Sequence, residues 1–200
     1  MKKINEIFYS LQGEGFNTGR PALFIRFSVC NLRCSFCDTR FSHYEEMQDA
    51  DIVKRALDIV SAKKAEAQSN DTSMPMVVLT GGEPSLQADE ALVDALHAAG
   101  FAFIAMESNG THEPPRGINW LTVSPKEHVT VRHCNELKVL FDGVQPVSTH
   151  GITADHYFLQ PLDTGNTAKN RTLLARCISY LQAHPGWRLS LQTHKMIGIR

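Results

Sequence analysis

The segment Cys30-Asn31-Leu32-Arg33-Cys34-Ser35-Phe36-Cys37 places three thiols in a C-x3-C-x2-C run. Thiolates are soft donors, suited to zinc or to iron-sulfur clusters rather than to hard cations. A structural zinc takes four protein ligands, usually as two separated pairs, and this sequence has no second C-x-x-C. Three thiolates on a four-iron cluster instead leave one iron open to an exogenous ligand. A zinc knuckle completed by His43, Cys134 or Cys177 stands as the alternative. Cys134 and Cys177 otherwise read as small buried apolar residues, Cys177 on an apolar helix face. Arg26 is the other candidate, a charge inside the apolar run Ala22 to Val29. It shares strand parity with Cys30, about 13 Å away at ~3.3 Å per residue. Its planar guanidinium suits a substrate carboxylate held by two charge-assisted bonds, and an internal salt bridge is the plainer use.

These groups need elements to hold them. Apolar runs rich in β-branched and aromatic residues at 22–29, 76–80, 101–106, 120–124, 136–141, 156–160 and 187–192 predict about six or seven strands. Several are almost wholly apolar, as strands covered on both faces are. Helical periodicity marks three segments: Ile52, Val53, Ala56, Leu57 and Val60; Leu92, Val93, Leu96 and Ala99; and Leu173, Leu174, Cys177, Ile178 and Leu181. Asn166 is available to cap the third, which His184-Pro185-Gly186 stops, and the polar stretch Ala65 to Ser73 reads as one long loop.

Polar clusters follow five of the predicted strands: Gly81-Gly82-Glu83-Pro84, Glu107-Ser108-Asn109-Gly110, Ser124-Pro125-Lys126, Gln160-Pro161-Leu162-Asp163 and Gln192-Thr193-His194-Lys195. A (β/α) barrel builds its site in this way, from the C-terminal ends of its strands. A complete barrel takes ~250 residues, so 200 residues with three main helices predict an α/β fold, an incomplete and helix-poor barrel forming a single domain over 1–200.

Composition narrows the function classes. With 42% hydrophobic residues the chain can bury one substantial core, and 20 Lys+Arg against 21 Asp+Glu provide no general attraction for nucleic acid. The opening Met-Lys-Lys-Ile-Asn-Glu-Ile-Phe has no apolar signal stretch, and no run approaches the ~20 residues of a membrane span, so a cytoplasmic protein with neither a membrane nor a nucleic-acid partner is expected. Five cysteines, three of them clustered, do not suggest a disulfide framework.

The C-x3-C-x2-C loop resembles that of the radical S-adenosylmethionine (SAM) enzymes, and Gly81-Gly82-Glu83-Pro84 is similar to their second motif. A narrower resemblance, from Glu6 to Lys195, is to the 7-carboxy-7-deazaguanine synthases. It rests on Leu11-Gln12-Gly13-Glu14-Gly15, Cys37-Asp38-Thr39, Ser124-Pro125-Lys126, Asn135-Glu136-Leu137-Lys138 and Gln192-Thr193-His194-Lys195. That family contracts 6-carboxy-5,6,7,8-tetrahydropterin to 7-carboxy-7-deazaguanine with loss of ammonia, supplying queuosine and related pathways, on a reduced partial barrel.

The resemblance implies a radical SAM carbon-nitrogen lyase using a [4Fe-4S] cluster, SAM and Mg2+. It assigns the cluster to Cys30, Cys34 and Cys37, and the SAM pocket to Phe36, Cys37, Asp38, Gly82, Glu83, Ser124, Pro125, Lys126, Gln160, Pro161, Leu162 and Asp163. Leu11, Gln12, Gly13, Arg26 and Thr80 would contact the pterin, with Glu107 and Asn109 beside the radical site and Arg200 at the chain's end near substrate. Thr39 would offer a hydroxyl to Mg2+, a hard cation that takes oxygen. The resemblance also implies an electron donor such as a flavodoxin or ferredoxin. Scarce helices would leave an apolar face uncovered, which predicts a homodimer. A glycyl-radical-enzyme activating protein shares the cluster loop but lacks a use for Arg26 and the closing Gln-Thr-His-Lys. A non-catalytic iron-sulfur or zinc module leaves the strand-end motifs unexplained.

Overall fold

Ala22, Leu23, Phe24 and Ile25 run without a polar break, and such a strand needs cover on both faces. The computed structural model, which describes residues 1–37, 43–126 and 128–200, supplies it. Strand β2 (Pro21–Phe27) sends Leu23, Ile25 and Phe27 into a large outer core and Ala22 and Phe24 into a smaller inner one. It belongs to a nine-stranded sheet with β1 (Lys2–Leu11), β3 (Glu45–Met47), β4 (Met76–Gly81), β5 (Ile104–Ser108), β6 (Trp120–Val123), β7 (His133–Phe141), β8 (Thr153–Pro161) and β9 (Arg188–Leu189). The strand order is β3-β1-β2-β4-β5-β6-β7-β8-β9. Every pairing from β2 to β9 is parallel, while β1 runs antiparallel to both its neighbours. The two ends of the sheet do not meet, so the barrel is incomplete, as expected.

Three helices cover the outer core. Helix α1 (Asp49–Glu66) buries Ile52, Ala56 and Val60, α2 (Glu90–Ala98) buries Leu92, Val93 and Leu96, and α3 (Thr167–Ala183) buries Leu173 and Cys177. Their starts are fixed by side chains where the sequence offers them. Asp89 accepts the Leu92 N–H at 3.0 Å, and Asn166 accepts the Lys169 N–H at 3.0 Å, each worth roughly 1 kcal/mol. Burying a leucine such as Leu96 contributes roughly 1.5–3 kcal/mol more. Among the described residues no helix is long and apolar enough to cross a membrane.

The strand count of six or seven falls short because β1 and β3 escape a periodicity search. In β1 the register with β2 shifts between Ile4 and Glu6, so the alternation is broken where it would be read. Strand β3 has three residues, and the run expected at 187–192 pairs only at Arg188 and Leu189. Helix α1 continues through Ala65 and Glu66, taking the first residues of the expected loop. A short helix α4 (Thr193–Ile197) forms where a polar strand end was expected.

Candidate active site

A parallel strand ends with its chain turning outward, so polar residues placed there by β4, β5, β6 and β8 face a common rim, with Lys138 below them inside β7. They line a cavity of about 830 Å3 together with the cluster loop. Cys30, Cys34 and Cys37 all line it, with Arg26 entering from β2 and Phe36 from the loop. Cys134 and Cys177 lie in the outer core instead, where burial pushes their thiols up to about 12 and about 11, so they do not complete a zinc site.

The two motifs are joined through backbone. Gly82 N–H donates to Phe27 O and Glu83 N–H to Val29 O, both at 2.9 Å, continuing the β2–β4 pairing into the cluster loop. A Cβ on Gly82 would lie 1.9 Å from Val29 O, and one on Gly81, which adopts φ +117°, would lie 2.3 Å from Phe27 O. Glycine is therefore required by the approach of the two loops to each other.

Glu83 is 1% exposed and does not line the cavity. Its carboxylate accepts from Ser85 N–H and Oγ–H, from Ser108 Oγ–H at 2.8 Å and from Asn109 N–H at 2.7 Å. It thus fixes the end of β5. Asn109 reaches back to the cluster loop, its Nδ2 donating to Asn31 Oδ1 at 3.0 Å and lying 3.9 Å from Cys30 Sγ.

The donor set suits a cluster. Three thiols along one loop fit a larger cluster, in which each sulfur takes a separate iron. Burial raises the Cys30 thiol, with Glu83, Cys34 and Cys37 adding to it against the Leu32 amide, and cationic iron would relieve that repulsion. Lys126 lines the cavity with its ammonium 5.7 Å from the Phe36 ring, and burial lowers its pKa.

The floor of the cavity carries a buried ion group built on the Asn135-Glu136-Leu137-Lys138 motif, to whose Glu136 and Lys138 the sequence alone assigns no role. Lys138, on β7, contacts Glu14 at 2.6 Å and Glu107 at 3.0 Å. Burial opposes its charge, but Glu107, Glu14 and Glu136 more than compensate and raise its pKa. Burial likewise works against the Glu14 carboxylate, yet Lys138 and Gln192 pull it down to about 2. Burial and Glu107 push Glu136 up to about 7, against Lys138 and the Phe16 amide. The signal for this group is the alternation in Glu136-Leu137-Lys138-Val139, where charges take every second position of a strand as groups facing a lumen do.

The cavity brings together most of the candidate residues: Gln12, Thr80, Glu107, Asn109 and Arg200 with Gly82, Ser124, Lys126, Gln160, Pro161, Leu162 and Asp163. Leu11, Gly13 and Pro125 are not on its wall, and Asp38 and Thr39 lie outside the described residues. Arg26 shares the cavity with Cys30 and also makes the plainer contact, its Nε donating to Glu6 Oε1 at 2.8 Å. Arg200 pairs with Glu6 as well, and its carbonyl accepts from Ser10 Oγ–H. Asp163 is held down to about 2 by the Gly165 amide, Asn170 and Lys195.

The sequence matches the Radical SAM superfamily over residues 24–121. The 7-carboxy-7-deazaguanine synthase of Bacteroides thetaiotaomicron is 47% identical over 203 residues, covering 100% of both chains. That of Bradyrhizobium diazoefficiens is 41% identical, covering 98% of each. The crystal structure of QueE from Escherichia coli matches with a TM-score of 0.61 at 30% identity, over 96% of this chain and 94% of that one. A thiol loop bonded to a Gly-Gly-Glu turn at the wall of one cavity, with relatives this similar from end to end, means that the chain belongs to the 7-carboxy-7-deazaguanine synthase family of radical SAM enzymes.

Proposed function

We propose that the cavity holds SAM along the cluster loop and 6-carboxy-5,6,7,8-tetrahydropterin toward Arg26 and the Lys138 group. The chain is a radical SAM lyase producing 7-carboxy-7-deazaguanine for queuosine biosynthesis. When bound, the [4Fe-4S] cluster supplies the electron that cleaves SAM to methionine and a 5'-deoxyadenosyl radical able to take hydrogen from the pterin.

The protein's own residues bind and orient. Cys30, Cys34 and Cys37 hold the cluster, and Phe36, Gly82, Ser124, Lys126 and the Gln160 to Asp163 segment enclose SAM, with Asp38 and Pro125 assigned there by motif. Glu83 serves SAM from behind, by fixing Asn109 next to Cys30. Glu6 orients Arg26, so that a substrate carboxylate joins Glu6 at an already placed guanidinium. Gln12, Thr80, Glu107, Asn109 and Arg200 complete the pterin side, with Leu11 and Gly13 shaping the turn that carries Gln12. Thr39 provides an oxygen for Mg2+. A flavodoxin or ferredoxin reaches the cluster at the exposed Cys37 edge, in a cytoplasm that keeps thiols reduced. A second copy covers the apolar Met196 and Ile197, which are 71% and 62% exposed, giving a homodimer of single-domain chains.

The observation that carries this reading is the meeting of three thiols, Arg26 and the Lys138 group in one cavity. Anaerobically reconstituted protein with SAM, a reductant, Mg2+ and the carboxylated pterin should release 7-carboxy-7-deazaguanine. SAM cleavage that ignores the pterin and yields no product would overturn the pterin assignment. Omitting Mg2+ should slow turnover, and an unchanged rate would remove the Thr39 role.

A further inference from the structure

Glu136 is 2% exposed and lies one side-chain step below Lys138 on the same face of β7, toward the closed end of the lumen. Its Oε2 accepts the Phe16 N–H at 3.0 Å. Gly15 rests directly on the other oxygen: a Cβ there would lie 1.9 Å from Glu136 Oε1, and the residue adopts φ +67°. A side chain there would have to displace the carboxylate and adopt a left-handed backbone conformation, which glycine takes without cost.

The three residues of the turn after Gly13 are each anchored, the outer two to β7 and the middle one just past the end of β9. Glu14 pairs with Lys138 at 2.6 Å, Gly15 N–H donates to Ser190 Oγ at 3.0 Å, and Phe16 N–H goes to Glu136. Ser190 Oγ–H donates in turn to Gln160 Oε1 at 2.7 Å, tying the anchor to a cavity residue. The Phe16 ring stacks on Trp120 at 4.9 Å and on His156 at 4.4 Å, closing the lumen from beneath. Above this plug, Gln12 and Glu14 face the cavity, where Gln12 Nε2 donates to Glu107 Oε1 at 3.2 Å.

We infer that Glu136 is a positioning residue for substrate, latching the Gln12 to Phe16 turn so that Gln12 and Glu14 meet the pterin in one fixed geometry. The inference rests on the reading of this cavity as the pterin site. Glu136 does not line the cavity, so it acts through the turn rather than by contact. Most residues that line the SAM side, from Cys30 to Cys37 and at Gly82, Ser124 and Lys126, belong to other loops, while Gln160 touches the anchor through Ser190, which is bonded to Gly15 and not to Glu136. Loss of the latch should therefore separate the two ligands, weakening pterin binding and sparing SAM.

The test is steady-state kinetics on the reconstituted enzyme, with iron content and pterin-independent SAM cleavage measured beside turnover. Glu136→Leu removes the acceptor and should raise the pterin KM roughly tenfold or more, one charge-assisted hydrogen bond lost from the turn. The SAM KM, iron content and pterin-independent cleavage should stay at parental values. Glu136→Gln keeps an oxygen for the Phe16 amide and should recover most of that loss. Phe16→Ala removes the plug without touching the carboxylate and should raise the pterin KM in the same direction, which decides the matter even if the leucine variant does not fold. An unchanged pterin KM in Glu136→Leu, or parallel loss of iron, SAM cleavage and turnover in Glu136→Gln and Phe16→Ala, overturns the latch. A parent enzyme that never turns over the pterin overturns the underlying reading instead.

Discussion

Replacing Lys138 by methionine keeps most of the side-chain length and deletes the cation that Glu14 and Glu107 share. The two ion pairs removed span 2.6 Å and 3.0 Å, between side chains only 6%, 18% and 21% exposed, so water screens them little. Removing one partner of a buried ion pair costs roughly 3–5 kcal/mol, because the other charge stays behind. The Glu14 carboxyl sets a similar scale: its fall from 4.5 to about 2 corresponds to about 3 kcal/mol at about 1.36 kcal/mol per pH unit. That depressed pKa means stability which is present above pH 4.5 and lost as pH falls toward 2. Without Lys138, burial, the largest influence on Glu14, is opposed by the Gln192 contact and His194 alone, so the Glu14 pKa rises well above its value in the parent. The variant then relieves its strain by taking up protons. Thermal unfolding of the reconstituted protein should show the midpoint lowered by roughly 10 °C at pH 8, at about 2–4 °C per kcal/mol for this size. The deficit relative to the parent should shrink at pH 5. Adding Glu14→Gln and Glu107→Gln should restore much of the loss, since a buried pair replaced as a whole is often nearly neutral. An equal deficit at both pH values, or none, would refute the charge argument and leave only packing.

Cys34→Ala should abolish iron incorporation, SAM cleavage and product together, and retained SAM cleavage in iron-assayed protein would contradict the cluster ligand set. Arg26→Gln should raise the pterin KM by roughly 10–100-fold, the loss of a charge-assisted carboxylate pair, while pterin-independent SAM cleavage persists. An unaltered pterin KM would leave Arg26 as no more than the partner of Glu6. Gly82→Ala forces a Cβ to within 1.9 Å of the Val29 carbonyl, so the two loops must separate. Its expected signature is a higher SAM KM at normal iron content, and wild-type SAM kinetics would show that the loops move apart without consequence.

What could be read in advance follows from how far each signal reaches along the chain. The core strands β4 and β5 and the three main helices declare themselves locally, through apolar runs, 3.6-residue spacing and the cap Asn166. Strand β1 does not, because a bulge between Ile4 and Glu6 removes the period on which its recognition depends. The cluster loop is legible for the same local reason: three like donors fall within eight positions. Glu83 is legible as a motif and illegible as a role, since its partners Ser108 and Asn109 lie 25 and 26 residues away, at the end of another strand.

The floor of the site is the least local part, and the two ends of the chain make it. Gly13 O accepts from Thr193 N–H at 2.9 Å and from Thr193 Oγ–H at 2.8 Å, while Gln192 Nε2 donates to Glu14 Oε1 at 3.0 Å. A Cβ on Gly13 would collide with the His194 ring at 2.2 Å. The Gln-Gly-Glu-Gly and Gln-Thr-His-Lys segments are thus complementary halves of one contact, separated by nearly the whole sequence. Each taken alone has the composition of a turn or a solvated tail, and neither contains a spacing that names its partner. Because this contact also seats Glu14 against Lys138, the open side of an unfinished barrel is closed by the same residues that set the charge of its cavity.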